Sequence, residues 1–322
     1  MYKKMELKLK PEEKIAIFLD EEHIIGTFGI ELPIEKFVEQ NTTVYNVRKH
    51  DQTKREITAP TYHLKIIQKW ILDNILSKVD ISDSVHSFVK NRSILTNVKA
   101  HIHSSDSWVL RIDVKNFFNS IKIDEIKSIF IDLGYEIEVA DLLSQLCTKD
   151  SYLCQGFPTS PTLANIYMTD FDENLYKFLG EINDDFQIVY TRYADDIIIS
   201  GLKLEGYRKS IKSIKEYVIN LLSEKELNIN SRKTKVQTKS RKRITGLYIE
   251  GNQVKISNQY IKKIKSEIYY CRKYGVSSHL RYQNKADIAN FKGYMYGKVG
   301  FLKMINFDLG TTLQNELNNL EW

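Results

Sequence analysis

Along this chain apolar residues recur at helical spacing in some segments and at strand spacing in others, which predicts a mixed α+β protein. Residues 64–76 place Leu64, Ile67, Ile71 and Ile75 on one stripe, the pattern of a helix with one buried face. Residues 108–113, Trp-Val-Leu-Arg-Ile-Asp, alternate at strand period. Trp108, Leu110 and Ile112 share one face, and Asp113 ends the segment on the other. Two short strands are expected at Phe186–Thr191 and Ile197–Ser200, joined by a tight turn through Tyr193-Ala194-Asp195-Asp196. Beyond about residue 255 the pattern is helical. Ile261, Ile264, Ile268 and Cys271 recur three or four apart, while Lys262, Lys263, Lys265, Arg272 and Lys273 fill other faces. Residues 1–45 also read as helical. No repeat and no Pro- or Ser-rich linker divides the chain, and the softest boundary falls near Gly251 or Ser257.

Composition narrows the class. The 322 residues, 42% of them hydrophobic, suffice for one large domain or two to three small ones. No apolar run approaches the ~20 residues of a membrane helix, and Met1-Tyr2-Lys3-Lys4-Met5-Glu6 does not open a secretory core. The expectation is a cytoplasmic protein that contacts no membrane. Cys147, Cys154 and Cys271 lack zinc-finger spacing and read as reduced, buried thiols. The net charge of +6 is unevenly spread. Ser231 to Lys303 holds 18 Lys and Arg against Glu250, Glu267 and Asp287, a local +15 that leaves −9 on the rest. Such polarity suits a phosphate backbone, and also a solvated lysine-rich surface.

Carboxylates supply the candidate chemistry. Adjacent Asp195 and Asp196 at a hairpin tip repel each other unless a cation is near. Ile197-Ile198-Ile199 follows at once, so a buried strand pins the pair. Asp113 ends a second apolar strand. Fixed carboxylates suit Mg²⁺, which prefers oxygen ligands, and two such ions serve phosphoryl transfer. An Asp-Asp pair alone reads far more readily as a solvated turn; the surrounding motifs reverse that reading.

Thr191-Arg192-Tyr193-Ala194-Asp195-Asp196 resembles the catalytic motif of bacterial reverse transcriptases, and the family's other motifs follow in order. Lys54 to Pro60 looks like the first and Ser87 to Ile94 the second. Asp113 to Phe118 looks like the third, and Gln155 to Pro161, followed by Leu163-Ala164-Asn165, the fourth. Asn230 to Thr234 looks like the sixth, and Ile244-Thr245-Gly246-Leu247 falls where the seventh belongs. The match covers roughly residues 50–250. Asn97-Val98-Lys99-Ala100-His101 and Ile244-Thr245-Gly246 are similar to retron motifs, with Val98 where Ala is usual and Ile244 where Val is usual. Phe157 replaces the commoner Ala of the fourth motif, which would shape the nucleotide pocket differently.

The resemblance implies a right-hand polymerase fold, α+β. An N-terminal helical extension (1–45) would precede fingers and palm (46–255), built of antiparallel sheet plus helices, and a basic helical thumb (256–322). It implies an RNA-directed DNA polymerase with Asp113, Asp195 and Asp196 as catalytic carboxylates holding two Mg²⁺ ions. Phe118 corresponds to the sugar gate, where an aromatic ring excludes a 2′-hydroxyl. Gln155, Gly156, Arg55 and Lys233 would contact the incoming dNTP. Glycine allows close backbone approach, and guanidinium grips phosphate. Asn97, His101, Ile244, Thr245 and Gly246 would contact a structured non-coding RNA, both template and primer. Tyr269, Tyr270, Tyr274, Tyr294 and Tyr296 could stack on a nucleic acid, although most are expected in the core. In retrons the enzyme primes from an RNA 2′-hydroxyl, makes a branched RNA–DNA hybrid (multicopy single-stranded DNA) and acts in anti-phage defence with an effector protein. The alternatives are another bacterial reverse transcriptase, of group II intron or other defence type, or a nucleic-acid-binding scaffold that restrains an effector.

Overall fold

The computed structural model describes residues 20–30, 33–48, 54–103, 106–182, 186–283 and 290–322. Residues 1–19 of the expected N-terminal extension (1–45) lie outside them. Helices α1 (Glu21–Phe28) and α2 (Ile34–Gln40) precede a hairpin of β1 (Thr42–Arg48) and β2 (Lys54–Pro60). Helices α3 (Tyr62–Asn74) and α4 (Ile94–Ala100) lead to β3 (Ser107–Asp113). Next come α5 (Ile123–Asp132), α6 (Ile137–Cys147), α7 (Ser160–Tyr167) and α8 (Thr169–Glu181). Strands β4 (Val189–Tyr193) and β5 (Asp196–Leu202) precede α9 (Tyr207–Glu224) and four short strands, β6 (Lys235–Gln237), β7 (Lys242–Ile244), β8 (Leu247–Glu250) and β9 (Gln253–Lys255). The chain then turns helical through α10 (Asn258–Tyr274), α11 (Val276–Tyr282), α12 (Phe291–Ile305) and α13 (Phe307–Asn318). No helix among the described residues is long and apolar enough to cross a membrane.

The chain forms two compact units, one of Met1–Ser93 and Leu110–Val236, the other of Ile94–Val109 and Gln237–Trp322. In the first, a four-stranded sheet runs in the order β4-β5-β3-β6. The apolar stripe of α3 is buried throughout, and Gln68 on the same face donates to the Leu146 carbonyl at 2.8 Å. Strand β3 is buried on both faces, Val109 as fully as Trp108 and Leu110, so the sheet is covered on both sides there. Phe186 falls outside β4, which starts three residues later than its apolar run suggests.

A buried charge cluster ties β4 to α7 and α8. Arg192, 0% exposed, donates through Nε and Nη2 to Asp172 at 2.8 and 2.6 Å. Its Nη1 donates to Asn165 Oδ1 at 3.0 Å. The Tyr190 hydroxyl donates to the same Asp172. Burial, and then the Asp172 charge, hold the phenol well above its ordinary pKa, so it stays a donor.

In the second unit β7-β8-β9 form an antiparallel sheet. Helix α10 is capped by Ser257, whose side chain accepts from the Tyr260 N–H at 3.2 Å, and it buries Ile264, Ile268 and Cys271 as its spacing predicts. All three cysteines are free and buried.

Asp172→Ala leaves the Arg192 charge buried without a counter-ion, and the expected loss of stability is about 3–5 kcal/mol. Urea unfolding of the variant against the parent measures it.

Candidate active site

Strands β4 and β5 pair with Tyr193 opposite Asp196, which leaves Ala194 and Asp195 as a two-residue turn. Ala194 adopts φ +54°, uncommon for a residue with a side chain. Ile197, Ile198 and Ile199, each 0% exposed, fix the strand behind the turn. Asp113 ends β3 and is buried. The next residue, Val114, donates its N–H to the Asp195 carbonyl at 2.9 Å, and the Asn230 N–H donates to the Asp113 carbonyl at 2.7 Å. Two carboxylate-bearing segments remote in sequence thus share main-chain hydrogen bonds.

Their charges interact. Burial, then the neighbouring Asp196 and Asp113 carboxylates, push the Asp195 pKa up to about 6. Burial also raises Asp196, against the opposing pull of Arg111. Arg111 grips both Asp196 oxygens, Nε at 2.9 Å to Oδ1 and Nη2 at 2.7 and 2.8 Å to Oδ1 and Oδ2. Lys233 Nζ donates to Asp113 Oδ2 at 3.1 Å. Resident cations therefore occupy two of the three carboxylates, and among the described residues no trio of His, Cys, Asp and Glu closes into a metal cage. An all-oxygen donor set suits Mg²⁺. Asp113 and Asp195 fit that ion, whereas both oxygens of Asp196 are engaged by Arg111. Sequence reading missed Arg111. Its signal is a cation two residues before Asp113 in an apolar strand, hence on the same face.

Other expected nucleotide contacts form a second group in the same unit. The Thr58 N–H of β2 donates to the Gln155 carbonyl at 2.8 Å. Gly156 has φ +123°, and a Cβ there would lie 2.4 Å from the Thr58 carbonyl oxygen. The close approach that requires glycine is thus with β2. Arg55 is exposed on β2, paired with Val47. Phe157 is buried, as is Phe117, while Phe118 is only partly buried with its ring centroid 5.5 Å from that of Phe117. Of that pair, Phe118 is the one open to a ligand.

In the second unit Thr245 and Gly246, both with positive φ, form the two-residue turn between β7 and β8. Asn97, His101 and Ile244, expected at the RNA, are 0%, 1% and 0% exposed, with their side chains inside the unit. Asn97 Nδ2 instead donates to Thr245 Oγ1 at 3.4 Å, supporting the turn from beneath. Tyr269, Tyr270, Tyr274 and Tyr294 are exposed rather than in the core. Lys273 Nζ lies 5.0 Å from the Tyr274 ring centroid and Lys298 Nζ 4.2 Å from that of Tyr294. The buried stripe of α10 is filled by Ile264, Ile268 and Cys271, which leaves its tyrosines outside.

Residues 47–269 match the family described as "Reverse transcriptase (RNA-dependent DNA polymerase)". The chain is 32% identical over 243 residues to the Retron Ec86 reverse transcriptase of Escherichia coli, covering 74% of this chain and 73% of that protein. It is 34% identical over 194 residues to the Retron Ec73 reverse transcriptase of Escherichia coli, covering 55% and 61%. It is 27% identical over 259 residues to the Retron Mx162 reverse transcriptase of Myxococcus xanthus, covering 71% and 52%. The chain spans less than two thirds of the latter two. Among solved structures, apo telomerase from Candida tropicalis is similar at a TM-score of 0.50 and 12% identity, over 87% of this chain and 58% of that chain. That likeness concerns the fold alone, the α+β right hand of polymerases.

Because the folded pKa of Asp195 lies above the ordinary 3.8, the native state binds the extra proton and metal-free stability falls as pH rises from about 4 through about 6. Asp195→Asn should stabilise the metal-free protein by about 2–3 kcal/mol at pH 7.5 and change little near pH 4. Thermal unfolding in chelator at both pH values checks the sign.

Proposed function

The chain belongs to the reverse transcriptase family, as an RNA-directed DNA polymerase of retron type, and on that premise we propose that it copies part of its own structured non-coding RNA into DNA, primed from an RNA 2′-hydroxyl. The product is a branched RNA–DNA hybrid, and its proposed use is anti-phage defence in the bacterial cytoplasm, alongside an effector protein. Residues 46–255 serve as fingers and palm and 256–322 as a basic thumb.

The observation that carries the catalytic reading is the main-chain junction of Val114 with Asp195, which holds Asp113 and the Asp195-Asp196 turn at one place in the first unit. Asp113 and Asp195 would hold magnesium, with Asp196 beside them. Bound by these carboxylates, Mg²⁺ would supply the positive charge that lowers the pKa of an attacking hydroxyl and offsets charge on a departing pyrophosphate. The protein's own part is positioning. Lys233 has its ammonium at Asp113 and an exposed stem, within the same cluster as the carboxylates. Gln155 is held by β2, the strand that carries Arg55, so a triphosphate gripped by that guanidinium has a fixed partner beside it. Phe118, backed by buried Phe117, gives the sugar a rigid wall. The exposed tyrosines and lysines of α10 and α12 offer ring faces and charge to a duplex backbone.

With dNTPs, Mg²⁺ and the cognate RNA, the protein should make DNA that stays joined to RNA after denaturation, and Asp113→Asn should abolish it. Freely migrating DNA would retain the polymerase and remove the 2′-priming. Phe118→Ala should raise ribonucleotide incorporation about tenfold or more relative to deoxynucleotide, a difference of about 1.4 kcal/mol, measured as the ratio of kcat/KM values.

A further inference from the structure

The catalytic turn is held by a closed ring of buried hydrogen bonds. The Ala194 N–H donates to Ser87 Oγ at 2.7 Å. The Ser87 carbonyl accepts from Asn165 Nδ2 at 3.0 Å. Asn165 Oδ1 accepts from Arg192 Nη1 at 3.0 Å, and the same Nη1 reaches back to the Ala194 carbonyl at 3.5 Å. Ser87 and Arg192 are 0% exposed and Asn165 is 2% exposed. The ring joins the loop before α4, helix α7 and the turn between β4 and β5. Main chain reinforces it, for the Arg192 N–H donates to the Ser84 carbonyl and the His86 N–H to the Arg192 carbonyl, each at 2.8 Å. Arg92 ties the loop itself, donating to the carbonyls of Ser82 and Val85 at 2.6 and 2.7 Å.

Ala194 is the residue with left-handed φ, and it directly precedes Asp195. Its peptide N–H is buried, and Ser87 Oγ is the acceptor that fixes the peptide's rotation. That N–H belongs to the Tyr193–Ala194 peptide, while Arg192 Nη1 reaches the carbonyl of the next peptide, which joins Ala194 to Asp195; turning the backbone at Ala194 between these two held peptides swings the Asp195 carboxylate. We infer that Ser87 and Asn165 are positioning residues for polymerisation, which set the aim of the Asp195 carboxylate through the Ala194 peptide without touching substrate. The inference rests on the reading of Asp195 as catalytic.

The test compares Ser87→Ala, Ser87→Thr and Asn165→Ala with the parent on an oligo(dT)-primed poly(rA) template. Misplacing a reacting group by about 1 Å costs on the order of 10²-fold. Ser87→Ala should therefore lower kcat by about 30-fold or more, with KM for dTTP and the melting temperature close to those of the parent. Ser87→Thr, which keeps the hydroxyl, should restore most of the rate, and Asn165→Ala should resemble Ser87→Ala. Mn²⁺ affinity measured by calorimetry, independent of turnover, should weaken in Ser87→Ala. An unchanged kcat in Ser87→Ala, or a rate loss matched by loss of folded protein and not rescued by threonine, overturns the inference. An Asp195→Ala variant that still polymerises would overturn instead the catalytic reading beneath it.

Discussion

Gathering carboxylates in one place works against itself, because each charge raises the cost of the next and burial removes the water that would screen them. Asp195 shows the conflict most openly, pushed up to about 6 by burial and by two neighbouring aspartates. Something must hold such a group in place, and its own side chain cannot. The restraint comes from main chain. The Asp195 carbonyl is bonded to Val114, the Ala194 N–H to Ser87, and the three isoleucines that follow are fully buried. The repulsion is local, while the burial and hydrogen bonding that resist it are spread over β3, β5 and the loop that carries Ser87.

Much of this frame was legible in the sequence because it is local. The stripe of α3 and that of α10 follow from residues three and four apart, and the turn at Ala194-Asp195 from the break between two apolar runs. What could not be read is long-range pairing. Nothing near Arg192 in sequence announces Asp172 or Asn165 as its partners, since helix α7 and α8 residues meet β4 only in the folded unit. An arginine beside a catalytic motif reads as a surface or substrate-binding cation; its complete burial reverses that. The burial of Asn97, His101 and Ile244 was equally out of reach of the sequence. Motif membership marks a position as constrained, but a side chain under a turn is as constrained as one facing a ligand, and only burial separates the two cases. The tyrosines of α10 failed in the opposite direction. Hydrophobic character suggested a core, while the helical register had already assigned the core face to Ile264, Ile268 and Cys271.

The two resident cations differ in how firmly they hold their aspartates, and that difference ranks the three carboxylates. Lys233 makes one contact with Asp113 from a side chain that is 58% exposed, so water and salt screen the pair and it contributes little. Arg111 makes three contacts with Asp196 from a side chain that is 28% exposed, in the two-pronged geometry that guanidinium and carboxylate share. An incoming divalent ion therefore meets a weak competitor at Asp113 and a strong one at Asp196. Asp195 has neither a guanidinium clamp nor full solvation, and it gains most from a new positive charge. On the proposed reading, Asp113 and Asp195 carry the ion contacts. Asp196 acts chiefly as the anchor that keeps Arg111 folded over β3, supplying charge to the site without surrendering its oxygens.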